Sequence, residues 1–151
     1  ASWFIGLFEA TLQQVVALAV LMPVVASMGG IAGSQTLTLI VRGLALGQIT
    51  SANLKALMTK ELKVGGVNGV IWALVIGIVA FMWFSDPLLG VVICLAIFVN
   101  ILAAALAGVV LPVILEKLKI DPALSGSVIL TTVTDIVGFV AFLGLGSLFL
   151  L

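Results

Sequence analysis

Long apolar runs separated by short polar ones set the organisation of this chain. Residues 1–8 lead into Glu9, Thr11, Gln13 and Gln14. They read as the end of a first transmembrane helix followed by an interfacial turn, with Trp3 and Phe8 in an aromatic belt. The run is too short to span, which predicts that Ala1 sits inside a longer helix. Val15 to Met28 forms an apolar run that carries Pro23, and the segment Met28-Gly29-Gly30-Ile31-Ala32-Gly33-Ser34-Gln35-Thr36 follows before a second apolar piece, Leu37 to Leu46. One straight helix over residues 12–47 would measure about 54 Å against a hydrocarbon core of about 30 Å, so the element is expected to be kinked, steeply tilted or broken at its glycines.

Residues 48–63 are the most polar part of the chain, with Ser51 as a candidate cap and Lys55, Lys60, Glu61 and Lys63 over about three turns. This pattern predicts an amphipathic helix at the membrane surface that leads into the next span. Val64 to Phe84 is that span, closed by Trp83 and the turn Ser85-Asp86-Pro87. Leu88 to Leu115 is another, interrupted only by Asn100 and Pro112. Glu116-Lys117-Leu118-Lys119 reads as a short loop, Asp121-Pro122 starts the next helix, and a final span runs from Leu124 to Leu148. The expected fold is therefore all-α: a polytopic transmembrane bundle of five spans, the first one truncated.

Composition agrees with this reading: 64% of residues are hydrophobic and 8% charged, and mean hydropathy is +1.47. The chain is expected to be one transmembrane domain over residues 1–151, since no polar block is long enough to bury a core of its own. Six basic and six acidic residues cancel, so nothing points to nucleic acid. Histidine is absent, which removes the commonest transition-metal ligand and catalytic base. The single Cys94 lies in an apolar run and reads as a packing residue. Most soluble-enzyme chemistry has no raw material here, and the partners to expect are membrane lipid and ions.

Lys55, Lys60 and Lys63 precede the third span, while Lys117 and Lys119 follow the fourth. Both groups fall on one face if every span crosses once, and the positive-inside rule makes that face cytoplasmic. Arg42 fits the same end of the second helix. The expected localisation is the plasma (inner) membrane, multi-pass, with the C-terminus exterior. Small residues at a spacing of four, Gly29 with Gly33, Ala103 with Ala107 and Ala104 with Gly108, allow close helix approach; for the alanine pairs ordinary packing is the preferred reading.

Candidate chemistry centres on Thr131-Thr132-Val133-Thr134-Asp135-Ile136-Val137-Gly138. A charged carboxylate at mid-helix against lipid costs about 2.5–3.5 kcal/mol or more, so Asp135 should face protein or water. Ser127, Thr131, Asp135 and Gly138 fall at helical offsets and define a polar stripe, flanked by Thr132, whereas Thr134 lies on another side and back-bonds to its own helix. The competing reading makes Asp135 a structural group hydrogen-bonded to a neighbouring helix. The glycine segment is a second candidate: Gly29, Gly30 and Gly33 would expose backbone to a pathway, or act as a closely packed hinge. Asn100 is a third; it either lines a pore or bonds between helices, with the second role preferred. Hard oxygen ligands suit Mg²⁺, Ca²⁺ and Mn²⁺, and Mg²⁺ keeps several waters, so one carboxylate with hydroxyl and carbonyl acceptors suffices to hold it. Two-fold symmetry would double the ligands across a shared pore.

Pro23, Gly29-Gly30-Ile31-Ala32-Gly33-Ser34-Gln35, Arg42, Asp121-Pro122-Ala123 and Thr131 to Gly138, in that order and spacing, resemble the membrane domain of the MgtE-type magnesium channels. Phe8-Glu9 and Asn100 also look like that pattern. Ile31 stands where the family usually has asparagine, and Ser127-Val128 lacks a polar-proline pair. The resemblance implies a homodimer of five-helix subunits with a central pore lined by the second and fifth helices. It implies Mg²⁺ as transported ion and pore ligand, Asp135 as the pore aspartate, and Ser127, Thr131, Gly29, Gly30 and Gly33 facing the pore. It also implies cytoplasmic regulatory domains, which this sequence does not contain. Two other readings stand beside the channel: a secondary exchanger coupling a cation to H⁺ or Na⁺ by alternating access, and a non-conducting anchor.

Overall fold

The computed structural model describes residues 3, 16–47, 53–85 and 87–150, with the backbone alone for 16–19, 122–125 and 150. Among these residues lie four helices long and apolar enough to cross a membrane. They are α1 (Val16–Ala45), α2 (Leu54–Phe84), α3 (Pro87–Lys117) and α4 (Pro122–Leu150). The chain is all-helical over the described residues and is an integral membrane protein. The expected truncated first span and its turn at Glu9 fall outside the described residues apart from Trp3, as do Ser51 and Asp86.

Where α1, α2 and α3 stop, a residue in the left-handed region turns the chain. Gly47 (φ 69°) follows α1, Ser85 (φ 53°) follows α2 and Lys119 (φ 60°) follows α3. At the end of α3 the Ile120 N–H donates to the Leu115 carbonyl (2.9 Å) and the Lys119 N–H to Glu116 (3.0 Å). This paired closure satisfies carbonyls that the last turn would leave without partners. Pro122, which needs no N–H partner in a first turn, then opens α4. The helix start falls where the sequence puts it, whereas Glu116 and Lys117, read as loop, are the last residues of α3.

Two expectations are corrected. The glycine segment does not break the second apolar element: α1 runs as one helix of 30 residues through Pro23 and residues 28–36. Its backbone groups are therefore satisfied inside the helix, and a length of about 45 Å demands tilt or projection beyond a core of about 30 Å. Lys55 to Lys63 do not form a separate surface helix either; they are the opening turns of α2, continuous with its membrane segment. Asn53 precedes α2 without a side-chain capping bond.

α3 is the central element, packed on α2, α4 and α1, while α1 also packs on α4 and scarcely touches α2. Lipid tails are as apolar as leucine, so packing rather than hydrophobicity has to choose which face turns inward. α2 shows the result inverted from a soluble helix. Its buried positions are Glu61, Gly65, Gly69, Ala73, Gly77 and Ala80, and Ile71, Trp72, Leu74, Ile78 and Val79 point outward. A Cβ on Gly77 would lie 3.1 Å from the Gly90 carbonyl oxygen, and one on Gly90 3.0 Å from that of Gly77. The two backbones touch there because neither carries a side chain. On the other flank of α3, Ala104 and Gly108 are buried, and a Cβ on Gly108 would come 2.8 Å from Thr36 Cβ and 3.1 Å from the Gly33 carbonyl oxygen. The hydrophobic interior gathers Leu21, Met22 and Val25 of α1, Val92, Ile93, Ala96 and Ile97 of α3, and Phe142 and Leu143 of α4.

Candidate functional site

Asp135 sits near the middle of α4, about 20 Å along the helix from Pro122. It is half-buried, and among the described residues no ion pair or hydrogen bond reaches it. It lines an open groove of about 550 Å³ between α1 and α4. Thr131, one turn earlier, lies beside it. The facing wall comes from α1, where Ser27, Gly30, Ile31, Ser34, Gln35 and Thr38 line the same groove. Offsets of three and four from Ser27 to Ile31, Ser34 and Thr38 place these residues on one face of the unbroken α1.

The hydroxyls differ in what remains available to a ligand. Thr38 Oγ1 donates to the Ser34 carbonyl (2.8 Å), so its lone pairs are left to accept. Thr134 is fully buried and donates to the Thr131 carbonyl (3.1 Å), the back-bond expected of it. Thr132 is exposed and donates to the Val128 carbonyl (2.9 Å). No side-chain bond holds the Thr131 hydroxyl among the described residues. The groove thus presents one carboxylate, several hydroxyls and the Gln35 amide, all oxygen donors suited to hard cations. Among the described residues no group of three or more His, Cys, Asp or Glu could hold a metal ion.

Four residues expected to line a pathway lie in the interior instead. Asn100 is fully buried and its Nδ2 donates to the Val25 carbonyl (2.9 Å), the interhelical role preferred from sequence. Its Oδ1 is buried without a partner. Gly29 and Gly138 frame it: a Cβ on Gly138 would lie 2.8 Å from Asn100 Nδ2, and one on Gly29 would overlap that atom. Gly33 packs on Leu130, with a Cβ 3.0 Å from its nearest methyl. Gly138 therefore joins the buried row Leu130, Thr134 and Phe142 rather than the row of Thr131 and Asp135. A residue three positions past Asp135 swings back by about 60°, enough to cross from groove to core. Gly30 faces open space, with nothing within 4 Å of a Cβ. Ser127 and Thr132 are exposed on α4 outside the groove.

Sequence reasoning did not assign Ser27 or Thr38 to the site, and took Ser34 and Gln35 only as parts of a motif. Their three-and-four spacing was the available signal. It was masked by the expectation that the helix breaks at the glycines.

A family profile described as a divalent cation transporter, MgtE, matches residues 22–145. The chain is 34% identical over 146 residues to the magnesium transporter MgtE of Bacillus subtilis, covering 97% of this chain and 32% of that protein. It is 34% identical over 144 residues to the magnesium transporter MgtE of Thermus thermophilus, and 32% identical over 143 residues to that of Enterococcus faecalis. Each of those two matches covers 95% of this chain and 32% of the relative. The chain spans about a third of the length of the curated relatives it matches.

Proposed function

Because the chain belongs to the MgtE family of divalent cation transporters, whose members are transporters and not enzymes, we propose that it is the conducting domain of a Mg²⁺ channel, with Asp135 holding the hydrated ion. The observation that carries this reading is the position of Asp135: a mid-helix carboxylate, free of protein partners among the described residues, on an open polar groove. Six waters of about 30 Å³ each make a hydrated ion of roughly 180 Å³. The groove of about 550 Å³ admits it without dehydration. Asp135 supplies charge, and Thr131, Ser27, Ser34 and Thr38 accept hydrogen bonds from the ion's waters.

The groove is open along one side, so a second copy across a two-fold axis completes the wall and brings a second Asp135 to face the first. Two carboxylates that close repel each other, and a divalent cation between them relieves both. Ser127 and Thr132, exposed on the same helix, then lie toward the partner. The domain sits in the plasma membrane with the lysine-bearing helix ends cytoplasmic and the C-terminus exterior.

The test is Mg²⁺ flux into liposomes holding the purified chain, read with an internal Mg²⁺ dye. Asp135→Asn is expected to abolish flux with dimerisation intact, and undiminished flux would remove Asp135 from the mechanism. Flux that stops when a proton or Na⁺ gradient is collapsed, without unitary currents, would replace the channel by an exchanger.

A further inference from the structure

Across Gln35 from the Asp135 groove, near the basic ends of α1 and α2, lies Glu61. Only 9% of this residue is exposed, although it falls in the opening turns of α2 where the neighbouring lysines are solvated. Among the described residues it makes no hydrogen bond and no ion pair; Lys60 and Lys63 are exposed and leave it unpaired. It lines a narrow cleft of about 100 Å³ together with Gln35, Thr36 and Asn68. The same residue lines a wider cleft of about 400 Å³ that carries Lys60 and Asn53. The stem of Glu61 is buried while its carboxylate opens into these clefts, where it faces other oxygen donors and is paired with no protein counter-charge among the described residues.

We infer that Glu61, Gln35, Thr36 and Asn68 form a second binding site for a hydrated divalent cation, separate from Asp135 and joined to its groove through Gln35. The donors are a carboxylate, two amide oxygens and a hydroxyl. The Thr36 hydroxyl hydrogen is spent on the Ala32 carbonyl (3.4 Å), which leaves its oxygen to accept. Hard oxygens select Mg²⁺ or Mn²⁺ over softer metals, and the wider cleft of about 400 Å³ that Glu61 also lines has room for waters to complete the shell. Gln35 lines both this cleft and the Asp135 groove. An ion leaving one site therefore meets a ligand of the other, the multi-site arrangement that lets binding stay strong enough to admit an ion and weak enough to release it. The inference rests on the cation-transport reading for the ion's identity.

Mn²⁺ serves as a paramagnetic stand-in: free Mn²⁺ is titrated by electron paramagnetic resonance against the purified chain in lipid nanodiscs. Wild type is expected to show two saturable classes of site. Asp135→Asn removes one class, Glu61→Gln removes the other, and Asn68→Ala weakens the second class about tenfold. Helicity by circular dichroism accompanies each variant. Binding by Glu61→Gln equal to wild type overturns the inference; where Glu61→Gln does not fold, unaltered affinity in Asn68→Ala does so. Should Asp135→Asn lose neither class, the proposed conducting role of Asp135 fails while the Glu61 class is still counted by its own variants.

Discussion

The seam between α2 and α3 and the seam between α1 and α4 both contain glycines and both leave a groove, about 310 Å³ and apolar at the first, about 550 Å³ and polar at the second. Along α2 the small residues recur every three or four positions; Gly65 meets Ala105, Gly69 meets the Phe98 and Ile101 side chains, and Gly77 meets the Gly90 carbonyl oxygen and Cys94. Along α1, Gly29 and Gly33 meet side chains, Asn100 and Leu130, and fill inward. The adjoining face, with Ser27, Gly30, Ser34 and Thr38, meets nothing opposite except Thr131 and Asp135. A Cβ on Gly69 would lie 3.1 Å from Phe98 and one on Gly77 3.1 Å from the Gly90 carbonyl oxygen, whereas one on Gly30 would meet nothing within 4 Å, so a glycine leaves room for water only where no residue stands opposite it. The difference lies in the partner's residue and not in the glycine count.

Substitutions that exchange the two behaviours test this contrast. The largest effect is expected at Gly29→Leu, because a Cβ overlaps Asn100 Nδ2 and lies 2.7 Å from its Cγ. Overpacking so close to a buried amide should cost about 3 kcal/mol or more and prevent a monodisperse preparation, read by size-exclusion chromatography. Gly77→Val comes next. It should cost about 1–3 kcal/mol in detergent unfolding by parting α2 from α3, and should leave cation binding in the groove unchanged. Asn100→Ala removes the bond to the Val25 carbonyl, and interhelical bonds of this kind average about 0.6 kcal/mol with a ceiling near 1.7, so its unfolding shift should be smaller than that of Gly77→Val. Gly30→Ala is the smallest in stability, a change of under about 1 kcal/mol in the stabilising direction, since its Cβ meets open space. Mg²⁺ flux should nonetheless fall in that variant, because the added methyl narrows the wall opposite Asp135. A Gly77→Val protein that loses flux as severely, or a Gly30→Ala protein that loses only stability, would erase the distinction between the seams.

Local signals in the sequence reached the helix ends and the carboxylate but not the pairing of faces. Asp121-Pro122 and Ser85-Asp86-Pro87 announce helix boundaries through proline's fixed φ and missing N–H, and the helices do start there. Asp135 is legible because a carboxylate in an apolar run is expensive wherever it points. The continuity of α1 was not legible. Glycines lower helix propensity in isolation, but a membrane has no water to satisfy a broken backbone, so the helix persists through them. Lys55 to Lys63 likewise continue into α2 without a break. The burial of Glu61 depends on where α1 and α2 diverge, a tertiary fact that a charged surface pattern conceals. The shift of Gly138 from groove to core follows from helical angle alone and needed only the knowledge that Asn100 stands opposite.

The turn at Ser85 bears on how the protein enters its bilayer. With so short a connection, α2 and α3 form a helical hairpin, and the lysines that flank it, Lys55, Lys60, Lys63, Lys117 and Lys119, lie at the end away from the turn. Such a hairpin can be delivered to the bilayer as a unit. With the lysines held on the side of synthesis, as the proposed orientation has it, only the tip at Ser85 would have to cross the hydrocarbon.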